Sequence, residues 1–124
     1  MPPILRALVL GFLAPAAVLA VSPVLPALAH HGWGSYDSGT TVTLDGAVER
    51  VSWGNPHVTI WLQHQGKPVE VVLAPPSRMQ GRGLPEADLR PGLPVSLDAY
   101  PNRDDPAEFR AERIRVGGKT VELR

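Results

Sequence analysis

The chain has 124 residues, with 12 Lys plus Arg against 12 Asp plus Glu, 4 His, 14 Pro, 12 Gly and no Cys. That length fits one domain, and the charge balance excludes the clustered basic footprint of a nucleic-acid or anionic-membrane binder. Without cysteine there is no disulfide, no thiolate metal site and no cysteine nucleophile, so a metal would be held by His, carboxylate or backbone groups.

Residues 1–29 read as a secretory signal peptide. Arg6 is their only charge, Ala7 to Val21 is apolar apart from Gly11 and Pro15, and Ala27-Leu28-Ala29 is a small-x-small end of the kind signal peptidase accepts. An uncleaved transmembrane anchor is the alternative, against which the prolines Pro15, Pro23 and Pro26 argue. Cleavage after Ala29 leaves 95 residues with 11 basic and 12 acidic side chains and no stable membrane span. The expected address is periplasmic or secreted. A domain of that size can stand on its own core without cystine.

Residues 30–39, rich in Gly and Ser and without a period, form an irregular N-terminal arm ahead of a domain over 40–124. Thr40 to Trp53 predicts a long first strand, broken near Asp45-Gly46 at a bulge or sharp coil. Val42, Leu44 and Val48 share one parity, and Val51 and Trp53 the other. Asn55-Pro56 makes a turn, and His57 to Gln63 follows as a strand with Val58, Ile60 and Leu62 on one face. His64 to Lys67 forms a hairpin loop into Val69 to Leu73. A short helix fits between Ser77 and Leu89, with Ser77 as its cap. Pro94 to Tyr100, Glu108 to Val116 and Thr120 to Leu123 complete the strands, the last two joined at Gly117-Gly118.

This order predicts an all-β fold with one short helix: an OB-like small barrel of five to six strands, with a small open β-sandwich as the alternative. Fold does not carry function, and the charge balance speaks against the nucleic-acid role of OB folds.

The segments Ala29-His30-His31-Gly32-Trp33 with Tyr36-Asp37, and Trp53-Gly54-Asn55-Pro56-His57-Val58, with Leu73 to Arg78, Phe109 to Ile114 and Val121 to Arg124, give the chain its resemblance to a family of small, secreted, mostly proteobacterial proteins of unknown function. The resemblance implies export and a small β fold, and no reaction.

Cleavage after Ala29 would make His30 the first residue, placing a free α-amine beside an imidazole. The amine, with a pKa near ~8, can yield its proton to a metal near neutral pH. Amine and ring Nδ1 can close a chelate, and a second imidazole in trans completes a histidine brace, an arrangement that suits copper(II). His57, stiffened by Pro56, is the candidate third nitrogen, His31 the alternative, and Asp37 an outer or axial oxygen. The competing reading leaves His30 and His31 as solvated tail residues and His57 as a turn residue. His64, in the hairpin loop, is not among the expected ligands.

Trp33, Trp53 and Trp61, with Asn55 in the adjoining turn, support a different expectation, a non-catalytic adaptor that docks a periplasmic partner. Trp61 has opposite parity to Ile60 and Leu62 and points outward, where it can join an aromatic platform or pack as a satellite core. Asn55 also serves the turn. Glu108, Arg110 and Glu112 alternate in sign on one face and read as a solvated strand surface. No nucleophile elbow surrounds Ser35 or Ser77 and no carboxylate pair is marked out, so the expected role is binding rather than catalysis.

Overall fold

The computed structural model describes residues 32–124, together with the isolated Pro3 and Gly11; the expected signal peptide, His30 and His31 lie outside the described residues. Seven strands follow in chain order: β1 (Val42–Ala47), β2 (Arg50–Ser52), β3 (Thr59–His64), β4 (Lys67–Val72), β5 (Pro94–Pro101), β6 (Glu108–Val116) and β7 (Lys119–Glu122). One helix, α1 (Pro76–Gly81), separates β4 from β5. Among the described residues no helix is long and apolar enough to cross a membrane.

Turn chemistry sets the hairpins. Gln65 and Gly66 have φ of 52° and 76°, and Gly117 and Gly118 have 54° and 80°. Positive φ at both central residues is the type I′ pattern, whose twist matches that of the flanking strands. His64 and Lys67 therefore face each other as the last rung of β3 and β4 and do not belong to the loop. The Asn55-Pro56 peptide is cis. Helix α1 begins with Pro76 at its first position, where a missing N–H costs nothing, and Pro75 precedes it without a side-chain cap. Ser77, expected as the cap, lies inside the helix.

All seven strands share one sheet, ordered β1-β5-β6-β4-β3-β2 with β7 on β6. Only β4 and β6 pair in parallel, with Val71 opposite Phe109. The two ends of this order, β1 and β2, are successive parts of one stretch, so the sheet curls towards itself, but its hydrogen-bonded path is not closed. The expected barrel is corrected to that extent. The reason lies at the corner: Val48 leaves the β1 ladder to exchange hydrogen bonds with the 92–93 segment, its N–H donating to Leu93 O (2.9 Å) and its carbonyl accepting from Gly92 N (2.6 Å). The next residue, Glu49, already donates to Trp61 O on β3 (2.8 Å). The interruption thus falls at Val48-Glu49. Gly46 has a different task, since a Cβ there would lie 3.2 Å from Leu62 Cδ1 and 3.3 Å from the carbonyl oxygen of Gln63. It lets β1 cross close over β3.

The inner face carries one core, including Leu44, Val48, Val58, Ile60, Leu62, Val71, Leu97, Phe109, Ala111 and Ile114, and α1 contributes Met79. Val51 and Trp53 pack against it from the side, as the parity change along the first strand requires. In β6 the inward residues switch from odd (Phe109, Ala111) to even (Ile114) because Ala99 pairs with Ala111 while Asp98 pairs with Arg113. Glu112 is the extra residue of a β-bulge, and it turns outward together with its neighbour Arg113.

Candidate functional site

The outer face of β5 and β6 is not solvated along its whole length. Residues 32–37 lie across it. Trp33–Ser35 form a single 3-10 turn, closed by Ser35 N–H to Gly32 O and Tyr36 N–H to Trp33 O, both 3.1 Å. Beyond it Tyr36 bridges to Asn102, Asp37 N–H donates to Pro101 O and Arg103 N–H donates to Ser35 O, both 2.9 Å. The arm is irregular in sequence but runs as a short added strand along the exit of β5.

Its side chains convert that face into a second buried layer. Tyr36 is 1% exposed, and its phenol hydrogen-bonds with Asn102 and Glu108. Burial, then the nearby Glu108 charge, pushes its pKa up to about 12. Asn102 is also buried and uses its whole amide: Nδ2 donates to Glu108 Oε2 (2.6 Å), and Oδ1 accepts from the N–H groups of Asp104 (2.9 Å) and Asp105 (3.0 Å). That side chain folds the 102–105 turn and holds the Glu108 carboxylate in place.

Trp33 covers the other half. Its ring lies 4.1 Å from the Arg110 guanidinium carbon and 4.8 Å from that of Arg124, and meets Tyr100 edge-on at 6.0 Å. Tyr100 donates its hydroxyl to Glu112, and that bond to an acceptor carboxylate holds the phenol above its ordinary pKa. Arg110 is 5% exposed, and burial, with Arg78 and Arg124 adding to it, pulls its guanidinium below the ordinary range. Arg110 Nη2 lies 3.2 Å from His57 Nε2. A guanidinium has donors only, so this contact makes Nε2 the acceptor and places the imidazole proton on Nδ1.

A family profile described as "Family of unknown function (DUF6152)" matches residues 17–109. The chain belongs to this family. Comparison with functionally curated proteins finds no match. Among solved structures the chain is similar to the ZRD-deleted mutant of TiaS in complex with agmatine, with 18% identity and a TM-score of 0.44. That similarity covers 68% of this chain and 24% of the other, so the chain spans about a quarter of the protein it matches.

Of the residues expected to bind metal in this family member, His57 and Asp37 fall in the described part. His57 lies within the arm site. Asp37 is occupied locally: its Oδ1 accepts from Gly39 N–H (3.1 Å) and its Oδ2 from the Thr40 hydroxyl (2.8 Å), and these bonds hold its pKa below the usual carboxylate value. Among the described residues no group of three His, Cys, Asp or Glu could by itself hold a metal ion.

The three tryptophans have different surroundings. Trp33 belongs to the arm site, Trp53 leans on the core beside a shallow hollow lined by Gln80 and Pro85, and Trp61 points outward under the Arg50 guanidinium at 3.7 Å. Arg50 and Trp61 are directly opposed on β2 and β3. Asn55 is exposed before the cis proline. The residues that sequence reasoning missed are Tyr36, Asn102, Glu108 and Arg110. Glu108 and Arg110, expected on a solvated surface, are buried because the arm covers them. The available signal was Trp33 and Tyr36 themselves, two large aromatics in a stretch otherwise made of Gly, Ser and Asp.

Proposed function

We propose that this protein is an exported, non-catalytic binding protein for copper(II) or another divalent transition metal, with the His30 amine and imidazole as a chelate and His57 as the third nitrogen. One observation carries the reading. Trp33 sits on Arg110 and Arg110 touches His57, so a single guanidinium joins the two ends of a 24-residue sequence separation. Three residues of extended chain span up to ~10 Å, a length that supports a reach from Trp33 back towards His57 by a His30 at the mature start. His31 is the alternative nitrogen. Asp37 would have to release Gly39 and Thr40 to serve as an axial oxygen.

Arg110 opposes the metal, because its charge and its N–H both address the lone pair that a metal at Nε2 would need. Removing that charge should therefore tighten binding through either ring nitrogen, because a metal on Nδ1 would send the proton to Nε2, where it faces the Arg110 N–H. The deciding experiment is intact-mass measurement of the exported protein followed by copper(II) titration of the same sample. A chain starting at His30 that binds one copper below micromolar concentration, and loses at least about tenfold in His57→Ala, supports the reading. A chain starting elsewhere, or affinity indifferent to His57→Ala, overturns it.

The outward Trp61, stacked under Arg50, supports the second reading, an adaptor docking a periplasmic partner, since Trp and Arg dominate interface hot spots. Copper binding that is micromolar or weaker would favour it.

A further inference from the structure

The inward row of β3 runs through Ile60 and Leu62 to His64, and the row facing it on β4 runs from Val71 through Val69 to Lys67. The alternation that buries leucine and valine thus ends with an imidazole and an ammonium on the inner side of the last rung. Past that rung the core opens into a groove of about 680 Å³, bounded by the hairpin, Val42 at the start of β1 and the 101–109 turn. Its floor is apolar, built on Val42, Val69 and Phe109 with prolines at the sides, and the His64 ring stands edge-on to Phe109 at 6.1 Å. No acidic residue is among the described residues that line it, in a chain with as many acids as bases.

We infer that this groove binds a small monocarboxylate with an apolar tail, aryl or medium-chain alkyl. The carboxylate meets Lys67 at the rim and the tail lies on Phe109 and Val69. The volume lies within the range of small-molecule sites, and an apolar floor with a few polar groups at one end is their usual construction. Charge selects the head group: a neutral head would leave Lys67, the one Lys or Arg among the described lining residues, unused, and a cationic head would be repelled by it. Pro101, whose carbonyl accepts from Asp37 N–H, lines the groove as well, but none of the expected metal ligands does, so this inference stands or falls apart from the metal reading.

The test is calorimetric titration of the purified chain with octanoate, with octanamide as the neutral analogue. Saturable one-site binding of octanoate is expected, with octanamide weaker by about fivefold and the Lys67→Glu variant losing about fivefold or more. Ala107→Trp, at an exposed position in the lining, fills the groove and should abolish binding. Both altered residues are exposed, so the variants are expected to keep the fold. Absence of saturable octanoate binding, equal binding of octanamide, or binding indifferent to either substitution overturns the inference.

Discussion

Replacing Trp33 with alanine tests whether the arm is held by its aromatic anchor. The contact with Arg110 is desolvated on the protein side and is worth about 2 kcal/mol, whereas the one with exposed Arg124 adds about 0.5 kcal/mol. The edge contact with Tyr100 adds about 0.5–1.5 kcal/mol. Some 3–4 kcal/mol therefore fastens the first turn of the arm, by order of magnitude. A second anchor follows immediately, with Tyr36 buried and Asp37 N–H on Pro101 O, so the loss should be absorbed locally and only partly by the whole domain. Hydrogen exchange read residue by residue should show the Ser35 and Tyr36 amides losing about two to three orders of magnitude of protection. The Asp37 amide should change much less, and a denaturant melt should lose about 1–2 kcal/mol. Unchanged Ser35 and Tyr36 protection would refute the anchoring role. Equal loss at Asp37 would refute the idea of two separable anchors.

Three further outcomes follow from the packing. Asp98 receives Arg115 at 2.6 Å and Arg113 at 3.0 Å, and these guanidinium bonds hold its carboxyl below the usual range. Its stabilisation is present above about pH 4, the unfolded value, and is lost as pH falls through the lower folded value; Asp98→Asn should cost about 1–2 kcal/mol at pH 7 and flatten the acid limb of a pH-dependent melt. Tyr36 has the opposite sign, because its folded pKa of about 12 exceeds the unfolded 10.0. Stability should therefore drain away between those two values, by about 2–3 kcal/mol in all, and Tyr36→Phe should remove that alkaline slope. Gly46→Val would push a side chain against Leu62 and the Gln63 carbonyl; a loss of about 1–3 kcal/mol in thermal or denaturant unfolding is expected, and a neutral result would mean that the crossing is looser than described.

The strand pattern was legible because local signals agreed. Gly66 and the Gly117-Gly118 pair marked the turns, the Val58-Ile60-Leu62 alternation specified the buried face, and the outward direction of Trp61 followed from the same parity. Where reading failed, the cause was non-local. Gly46 resembles a chain break, yet its role is proximity to a strand about sixteen residues away, which no local pattern encodes. The bulge in β6 is invisible because Glu108, Arg110 and Glu112 keep a plausible polar alternation through it. The arm site was missed for a related reason: nothing near Arg110 in sequence announces that residues 33 and 36 will cover it. His57 was singled out for its chemistry, and the fold supplied the neighbour, Arg110, that defines its tautomer.

The bulge has a consequence for how this strand can change over evolutionary time. Ala111 and Arg113 pair with successive residues of β5, so Glu112 is supernumerary to the ladder. Its excision would leave every flanking rung in frame and every inward residue inward. The deletion would cost the Tyr100 hydroxyl its acceptor and the buried Leu123 the carbonyl that takes its N–H (2.8 Å). The strand thus carries one position where a codon can be lost without shifting the ladder with β5, and the phenol above it and the Leu123 amide on the other edge are what would register the loss.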